Sequence, residues 1–114
     1  MGRKIALDTN IFVYALEDNG KLGDKARALF QKIKDKNLKV FTSSITVHEI
    51  LTWVFKRRME EKAPEYLIAI SGGGQIQVTD FTIDVALVSA RIRAKYKLKT
   101  PDAIQIGSAI SYGA

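Results

Sequence analysis

The sequence predicts an α/β domain of three layers, in which a central parallel sheet lies between two layers of helices. Three short apolar segments have the character of buried strands, and pairs of helical segments separate them. Strands that alternate with helices are typical of a parallel sheet covered on both faces. The chain has 114 residues, of which 46% are hydrophobic, and this suffices for one globular domain. We therefore expect a single domain over residues 1–114.

The first part of the chain predicts two strands and two helices. Residues 4–7 form a short apolar run typical of a buried strand. A short helix is predicted over 11–16, because the turn-forming residues 18–20 then stop it. Apolar residues at helical spacing predict a longer helix over 21–36, and a second strand over 38–41 follows.

A third helix is predicted after the polar residues 42–44. Its apolar stripe repeats at i, i+3, i+4 and i+7, with the members Val47, Ile50, Leu51 and Val54. The basic residues 56–58 end this helix. A fourth helix over 64–70 ends at the glycines 72–74, and the alternating pattern of 75–79 predicts a third strand.

Two further helices complete the predicted fold. The first has its apolar residues at helical spacing, namely Ile83, Ala86, Leu87, Ala90 and Ala94. The second begins at Thr100 and Pro101, because Pro favours the first helical position. Sites in parallel sheets form at the carboxyl ends of the strands, so candidate residues are expected at that edge.

The composition excludes several kinds of site. The sequence contains no Cys, which excludes disulfides, iron–sulfur clusters and thiolate zinc sites. A single His excludes a site with several His ligands from one chain. Any bound metal must therefore take mainly oxygen ligands, as Mg²⁺, Mn²⁺ and Ca²⁺ do. The net charge of +6 suits a polyanionic partner such as RNA or DNA, although a basic surface also serves solubility.

Three acidic residues lie where predicted strands meet predicted helices. Asp8 follows the first strand, Glu49 is placed in the first turn of the third helix, and Asp102 in the first turn of the last helix. All three are expected at one end of the sheet. Carboxylates gathered in one cleft repel each other unless a cation neutralises them, and a hard divalent ion fits that need.

Each of these acids also has a purely structural interpretation. Asp8 would cap the helix that begins near Asn10. Thr46 and Glu49 match the capping-box pattern S/T-x-x-E. Asp102 would complement the dipole of its helix. The spacing alone leaves both interpretations open.

Three motifs resemble those of the PIN-domain family. Residues 5–12, IALDTNIF, resemble its opening strand, which ends in Asp followed by Thr and Asn. Residues 43–51, SSITVHEIL, resemble its second motif, and residues 90–109, which contain LKTPDAI, resemble its third. The motifs occur in the family's order and extend over almost the whole chain.

The resemblance implies a metal-dependent ribonuclease, with Mg²⁺ or Mn²⁺ as cofactor and RNA as substrate. Many members are toxins of VapBC-type toxin–antitoxin pairs, so it also implies an antitoxin partner. It places the catalytic and metal-binding acids at Asp8, Glu49 and Asp102. It implies supporting polar roles for Thr9, Asn10 and Ser44. Asn10 and Ser44 are equally compatible with helix capping.

Two basic clusters are candidates for RNA binding. They consist of Lys56, Arg57 and Arg58 after the third helix, and of Arg91, Arg93 and Lys95 on the fifth. For any one of these residues taken singly, a place on a solvated helix face is the favoured explanation. The longest apolar runs are too short to span a bilayer or to form a signal-peptide core. We therefore expect a cytoplasmic protein without membrane contact.

The family pattern also includes a fourth acid on a strand after the last helix, and no residue here matches it. We therefore expect a PIN-like domain truncated at its C-terminus, with weakened metal binding and weak or absent nuclease activity. Without that strand, residues 5–7 would form an unpaired sheet edge. Such an edge invites pairing with another chain, so we expect a homodimer.

Two alternatives remain open at this level. The first is a catalytically inactive PIN-like module that binds RNA or a protein partner. The second is a phosphoacceptor receiver domain, which also has an Asp at the end of a parallel strand. The receiver pattern requires an acidic pair at the first strand, and Thr9 and Asn10 after Asp8 fit it poorly.

Overall fold

The computed structural model describes residues 5–72 and 75–113. Lys4 and two of the predicted turn glycines, residues 73 and 74, lie outside the described residues. The elements follow one another as β1 (Ile5–Leu7), α1 (Thr9–Glu17), α2 (Lys21–Asp35), β2 (Val40–Ser43), α3 (Ser44–Lys56), a 3-10 helix (Glu60–Lys62), α4 (Ala63–Ser71), β3 (Ile76–Thr79), α5 (Ile83–Tyr96) and α6 (Thr100–Ser111).

The three strands form one parallel sheet in the order β1-β2-β3. Leu7 pairs with Thr42, and Thr42 pairs with Val78. The predicted α/β fold with a central parallel sheet flanked by helices is confirmed. Within the described ranges β1 pairs with β2 alone, so it forms an edge of the sheet. Self-association through this edge stays a prediction.

The two faces of the sheet divide the core, because successive side chains of a strand point to opposite faces. On one face, α1 to α4 enclose an apolar cluster with the strands, including Leu7, Phe12, Ile33, Val54 and Ile70. On the other, the buried Phe41 of β2 packs against Tyr112 at the end of α6, with ring centroids 5.9 Å apart.

None of the described helices combines the length and apolar content needed to cross a membrane.

The second strand lies two residues later than the sequence predicts, at Val40–Ser43 rather than 38–41. Leu38 lies instead in the loop that follows α2, and its backbone N–H donates to the carbonyl of Ile33 in that helix at 3.0 Å. Thr42 and Ser43 are fully buried within the strand. Their polarity suggests a loop, but the hydroxyl of each finds a partner inside the protein, and this makes the burial acceptable.

Tyr66 joins α4 to α1 through a hydrogen bond from its hydroxyl to the carboxylate of Glu17. The side chain is buried and stacks on Trp53 of α3. The hydrogen bond, followed by burial and by the negative charges of Glu17 and Glu65, raises the pKa of Tyr66 to about 12. The Tyr66 hydroxyl therefore stays protonated at neutral pH and continues to donate its hydrogen bond to the carboxylate of Glu17.

The last two helices pack closely because α6 presents Gly107 to α5. A Cβ at Gly107 would lie 2.8 Å from Ser89 Cβ and 3.0 Å from both Ser89 Cα and Ser89 N. Ser89 Cα and N belong to the backbone of α5 and Ser89 Cβ is bonded directly to it, so none of the three atoms can rotate away. The glycine thus sets how near α6, which carries Asp102, lies to its neighbour.

We predict that Gly107→Ala destabilises the protein, because the added methyl group forces α5 and α6 apart. Overpacking of this kind costs about 1–3 kcal/mol. Urea unfolding followed by circular dichroism measures the change. Ser111→Ala, at an exposed position near the end of α6, is the control and should stay within about 0.5 kcal/mol of wild type. Equal stability of Gly107→Ala and wild type would contradict the packing argument.

Candidate functional site

A polar cleft of about 430 Å³ opens at the carboxyl ends of the strands. Residues from α1, α3 and α6, together with two loops, line it: Asp8, Thr9, Asn10, Glu49, Leu98, Asp102, Gln105 and Ile106. All three acids that the sequence singles out therefore face the same cleft. They come from chain segments 41 and 53 residues apart (49 − 8 and 102 − 49), so only the tertiary fold brings them together.

Asp8 occupies the residue between β1 and α1. It is the N-cap of α1, and its Oδ1 accepts a hydrogen bond from the backbone N–H of Ile11 at 3.3 Å. The capping interpretation of Asp8 is thus correct in geometry, although the helix begins at Thr9 rather than near Asn10. The cap also fixes the carboxylate at the mouth of the cleft, where it is exposed to solvent.

Glu49 lies in the second turn of α3, and the prediction that placed it in the first turn is wrong. The helix begins earlier, at Ser44, and its N-cap is Ser43, whose Oγ accepts from the backbone N–H of Ile45 at 3.2 Å. Thr46 and Glu49 therefore do not form a capping box. The carboxylate of Glu49 instead accepts a short hydrogen bond from the hydroxyl of Thr9, with 2.6 Å between Thr9 Oγ1 and Glu49 Oε1.

Asp102 is the third residue of α6, in the first turn as predicted. The N-cap Lys99 makes no side-chain capping hydrogen bond, so the exposed carboxylate of Asp102 complements the positive end of the helix dipole. Gln105 follows one turn later and lines the same cleft.

A chain of hydroxyl groups runs beneath the cleft, and sequence reasoning missed it. Gln105 Nε2 lies 3.1 Å from Thr9 Oγ1 and 2.9 Å from Thr46 Oγ1. Thr42 Oγ1 lies 2.9 Å from Thr46 Oγ1 and 2.7 Å from the carbonyl oxygen of Leu7. Thr42 and Thr46 are fully buried. The one available signal was spacing, because Gln105 stands three residues after Asp102 on the same helix face.

The supporting polar residues differ in their placement. Thr9 contacts Glu49 directly. Asn10 lines the cleft, and Ser44 is absent from the described residues that line it. Neither Asn10 nor Ser44 is a helix cap, since Asp8 and Ser43 hold those positions.

The donor set of the cleft has the chemistry of a site for a hard divalent ion, because it offers three carboxylates and two amides. The three carboxylates are, however, too far apart among the described residues to bind one ion together. Across residues 5–72 and 75–113, no three His, Asp or Glu side chains are close enough to hold one ion. Asp8 and Glu49 each use only one carboxylate oxygen in the described hydrogen bonds. The other oxygen of each side chain remains able to accept a further partner.

The two basic clusters lie in different surroundings. Of the cluster on α5, Arg93 lines a groove of about 600 Å³, together with Phe81 and Lys97 among others. Arg91 and Lys95 are absent from the described residues that line this groove. Leu98 lines both this groove and the acidic cleft, so the two are neighbours. The other cluster lies at the far end of α3, where Arg57 stacks over the ring of Trp53 at 4.3 Å.

The model of the PIN domain family matches residues 5–114. The chain belongs to the PIN-domain family. PIN domains are generally nucleases. This assignment confirms the resemblance in the three motifs and removes the receiver-domain alternative. No match to the chain is found among curated proteins.

Solved structures share the fold of this PIN domain over most of its length. A chain of a toxin–antitoxin complex from Klebsiella pneumoniae is 26% identical, with a TM-score of 0.68 over 95% of this chain and 79% of that chain. A chain of VapBC2 from Rickettsia felis, bound to a DNA fragment from the promoter, is 22% identical. Its TM-score is 0.78 over 97% of this chain and 83% of that chain.

We predict that Glu49→Gln weakens Mn²⁺ binding at least about tenfold, because loss of a residue that only orients a metal ligand already costs about 10–100-fold in affinity. The substitution keeps the size of the side chain and an acceptor for Thr9, so it removes mainly the charge. Isothermal titration calorimetry with Mn²⁺ measures the affinity. Glu65→Gln, at an exposed acid in the first turn of α4, is the matched control and should bind as wild type does. Equal Mn²⁺ affinity of Glu49→Gln and wild type would exclude Glu49 as a ligand.

Proposed function

We propose that this PIN domain is a Mg²⁺- or Mn²⁺-dependent endoribonuclease and the toxin component of a toxin–antitoxin pair. The main support for the proposal is the position of three acidic residues. Asp8, Glu49 and Asp102, which come from three separate segments of the chain, line one solvent-accessible cleft at the carboxyl ends of the strands. Such a cluster of acids on a basic protein is poorly explained by stability alone, because like charges repel.

The three carboxylates would hold the divalent ion. When bound, such an ion stabilises negative charge on phosphoryl oxygens and activates water for hydrolysis of a phosphodiester. The residues of the chain prepare the site. The α1 cap holds Asp8 in place, and Thr9 holds Glu49 by its hydroxyl. Asn10 lines the cleft with an amide that can donate to a phosphate oxygen.

The RNA would reach the cleft along the basic residues of α5. Arg93 and Lys97 border the groove that adjoins the acidic cleft, and the exposed ring of Phe81 lies in the same groove. Cationic side chains beside an aromatic ring suit single-stranded RNA, whose phosphates and bases they can contact at once. Arg91 and Lys95 are exposed on the same helix. Lys56, Arg57 and Arg58 lie farther away, because seven residues of helix separate Lys56 from Glu49, a rise of about 10 Å.

The toxin assignment rests on the likeness to the chain of the Klebsiella pneumoniae toxin–antitoxin complex, which is 26% identical. On that basis we propose an antitoxin protein as a second partner beside RNA. The assignment adds a biological role to the nuclease activity, and the acidic cleft supports that activity independently of it.

We predict that EDTA abolishes RNA cleavage and that Asp8→Asn lowers kcat by about 100-fold, because a metal contribution of about 3 kcal/mol corresponds to two factors of ten. Asn caps helices as well as Asp does, so the substitution removes charge from the cleft and leaves α1 intact. Cleavage of a fluorescent RNA in the presence of Mn²⁺ measures the rate.

The matched control for this prediction is Asp84→Asn. Asp84 is an exposed acid in the first turn of α5 and is absent from the described residues that line the cleft. The Asp84→Asn variant should cut RNA at the wild-type rate. Cleavage that continues unchanged in EDTA, or an equal loss in both variants, would rule out the proposed mechanism.

We further predict that RNA binding weakens steeply as salt rises from about 50 to 200 mM, because contacts to phosphates release counterions. Arg93→Ala should weaken binding and lower the slope of log K against log salt by about one. Arg58→Ala, in the distant cluster, is the control and should change the slope less. Fluorescence anisotropy with a labelled single-stranded RNA measures both. A flat salt response would remove the electrostatic argument.

A second function, binding of RNA or a protein partner without cleavage, is favoured by one observation. The three acids share the cleft, but in the parts of the chain that the structure describes they are not gathered closely enough to hold an ion. Purified protein that binds RNA and shows no Mn²⁺-dependent cleavage would support this second function over the first.

A further inference from the structure

Gln105 joins the helix of the third acid to the segments that carry the first two. It lies on α6, one turn after Asp102, and is half-buried at the edge of the cleft. Its Nε2 is 3.1 Å from Thr9 Oγ1, which belongs to α1. The same atom is 2.9 Å from Thr46 Oγ1, which belongs to α3. The two partners lie 96 and 59 residues away in sequence, so these bonds form only in the folded protein.

The number of available protons sets the direction of the hydrogen bonds around Thr9. A threonine hydroxyl has one proton to donate and lone pairs that accept. An ionised carboxylate only accepts, so the 2.6 Å contact with Glu49 requires the proton of Thr9. Two further polar atoms lie near the Thr9 oxygen, namely Thr46 Oγ1 at 3.4 Å and the amide nitrogen of Gln105 at 3.1 Å. With its proton on Glu49, the Thr9 oxygen can only accept from them, and the amide of Gln105 is the closer donor.

The supply of protons also sets the direction of the hydrogen bonds in the second branch beneath the cleft, which runs from Gln105 through Thr46 and Thr42 to Leu7. A backbone carbonyl oxygen only accepts, so the 2.7 Å contact with Leu7 takes the single proton of Thr42. The 2.9 Å contact between Thr42 and Thr46 is then completed by the proton of Thr46. The Thr46 oxygen in turn accepts the second proton of the Gln105 amide. One NH₂ group thus supplies a donor to each of two branches, of which one ends on Glu49 and the other on the backbone beside Asp8.

We propose that Gln105 is a positioning residue of the cleft, whose amide orients the Thr9 hydroxyl toward Glu49 and holds that carboxylate toward the cleft. The role given to Glu49 rests on the proposed function. Gln105 need not touch an ion or RNA, because it acts through Thr9. Its second bond, to the fully buried Thr46, anchors the amide to the protein interior and limits its rotation.

The chemistry of the position explains why an amide is required. A Met side chain has a similar length but no donor, so Thr9 would be free to turn its proton away from Glu49. A carboxylate at this position would only accept and would compete with Glu49 for the proton of Thr9. An amide with two donors satisfies both hydroxyl oxygens, and the fixed geometry keeps Glu49 in one orientation.

The test compares Gln105→Met with wild type by Mn²⁺ titration calorimetry and by RNA cleavage kinetics. We expect Mn²⁺ affinity to fall about tenfold, the lower end of the range for residues that orient a metal ligand. We expect kcat to fall while KM for RNA stays within about twofold, because the contacts to the substrate are unchanged. Gln105→Leu should behave in the same way and serves if Gln105→Met does not fold. Gln31→Met is the matched control, because Gln31 is an exposed glutamine on α2 that bonds only to Asp35 among the described residues.

A double-mutant cycle separates positioning from simple packing. Thr9→Val removes the hydroxyl through which Gln105 acts, so adding Gln105→Met to it should change Mn²⁺ affinity by less than about twofold. A purely structural role for Gln105 would give additive losses instead. Additive losses, or wild-type Mn²⁺ affinity in Gln105→Met, would overturn the proposal.

The two readouts distinguish this proposal from the proposed function. If wild type binds Mn²⁺ but cuts no RNA, the nuclease assignment fails, while the Mn²⁺ cycle still decides the role of Gln105. If wild type cuts RNA and Gln105→Met binds Mn²⁺ normally, the nuclease assignment stands and the positioning role fails. If wild type has no affinity for Mn²⁺, both are wrong.

Discussion

The residues that line the cleft depend for their positions on the parallel pairing of β1 with β2. Leu7 is the last residue of β1 and pairs with Thr42, one residue before the end of β2. The segment that follows β1 therefore emerges beside the start of α3. The hydroxyl of Thr42 reinforces the pairing by donating to the carbonyl of Leu7 at 2.7 Å. A shift of the register by one residue would point Thr42 to the opposite face, because side chains alternate along a strand. Thr42 would then lose its contacts with the carbonyl of Leu7 and with the hydroxyl of Thr46.

The buried threonines beneath the cleft make hydrogen bonds in a part of the interior where apolar side chains are more usual. A hydroxyl placed in the interior without a partner costs about 1–3 kcal/mol, so each must be satisfied. Thr42 and Thr46 meet this requirement only when β1, α3 and α6 are all in place, since their partners come from all three. Such a network favours one arrangement of the elements over near alternatives. Residues that look suboptimal for the core thus fix the relative positions of the side chains above them.

The charge distribution of the site follows from this arrangement. Asp8 and Asp102 stand exposed at the rim of the cleft, while Glu49 is half-buried behind them. The protein as a whole carries a net charge of +6, so the acidic cleft is a local exception on a basic surface. A polyanion is attracted to such a surface at long range and meets the carboxylates only in the cleft. The close packing of Gly107 on Ser89 keeps α6, and with it Asp102, at a fixed distance from its neighbouring helix.

The amino-acid pattern is enough to predict the order and type of the main elements, because amphipathic periodicity is local and is recognisable without knowledge of the fold. It also placed Asp8 and Asp102 at the junctions where they are found, and the three motifs identified the PIN-domain family. Local patterns did not determine the end of β2 or the position of Glu49 within α3. Both depend on Thr42 and Ser43 being buried, and burial of a polar residue is decided by partners distant in the chain. The role of Gln105 could not be predicted from local patterns for the same reason. Its contacts with Thr9 and Thr46 join segments that are distant in the chain and meet in the folded protein.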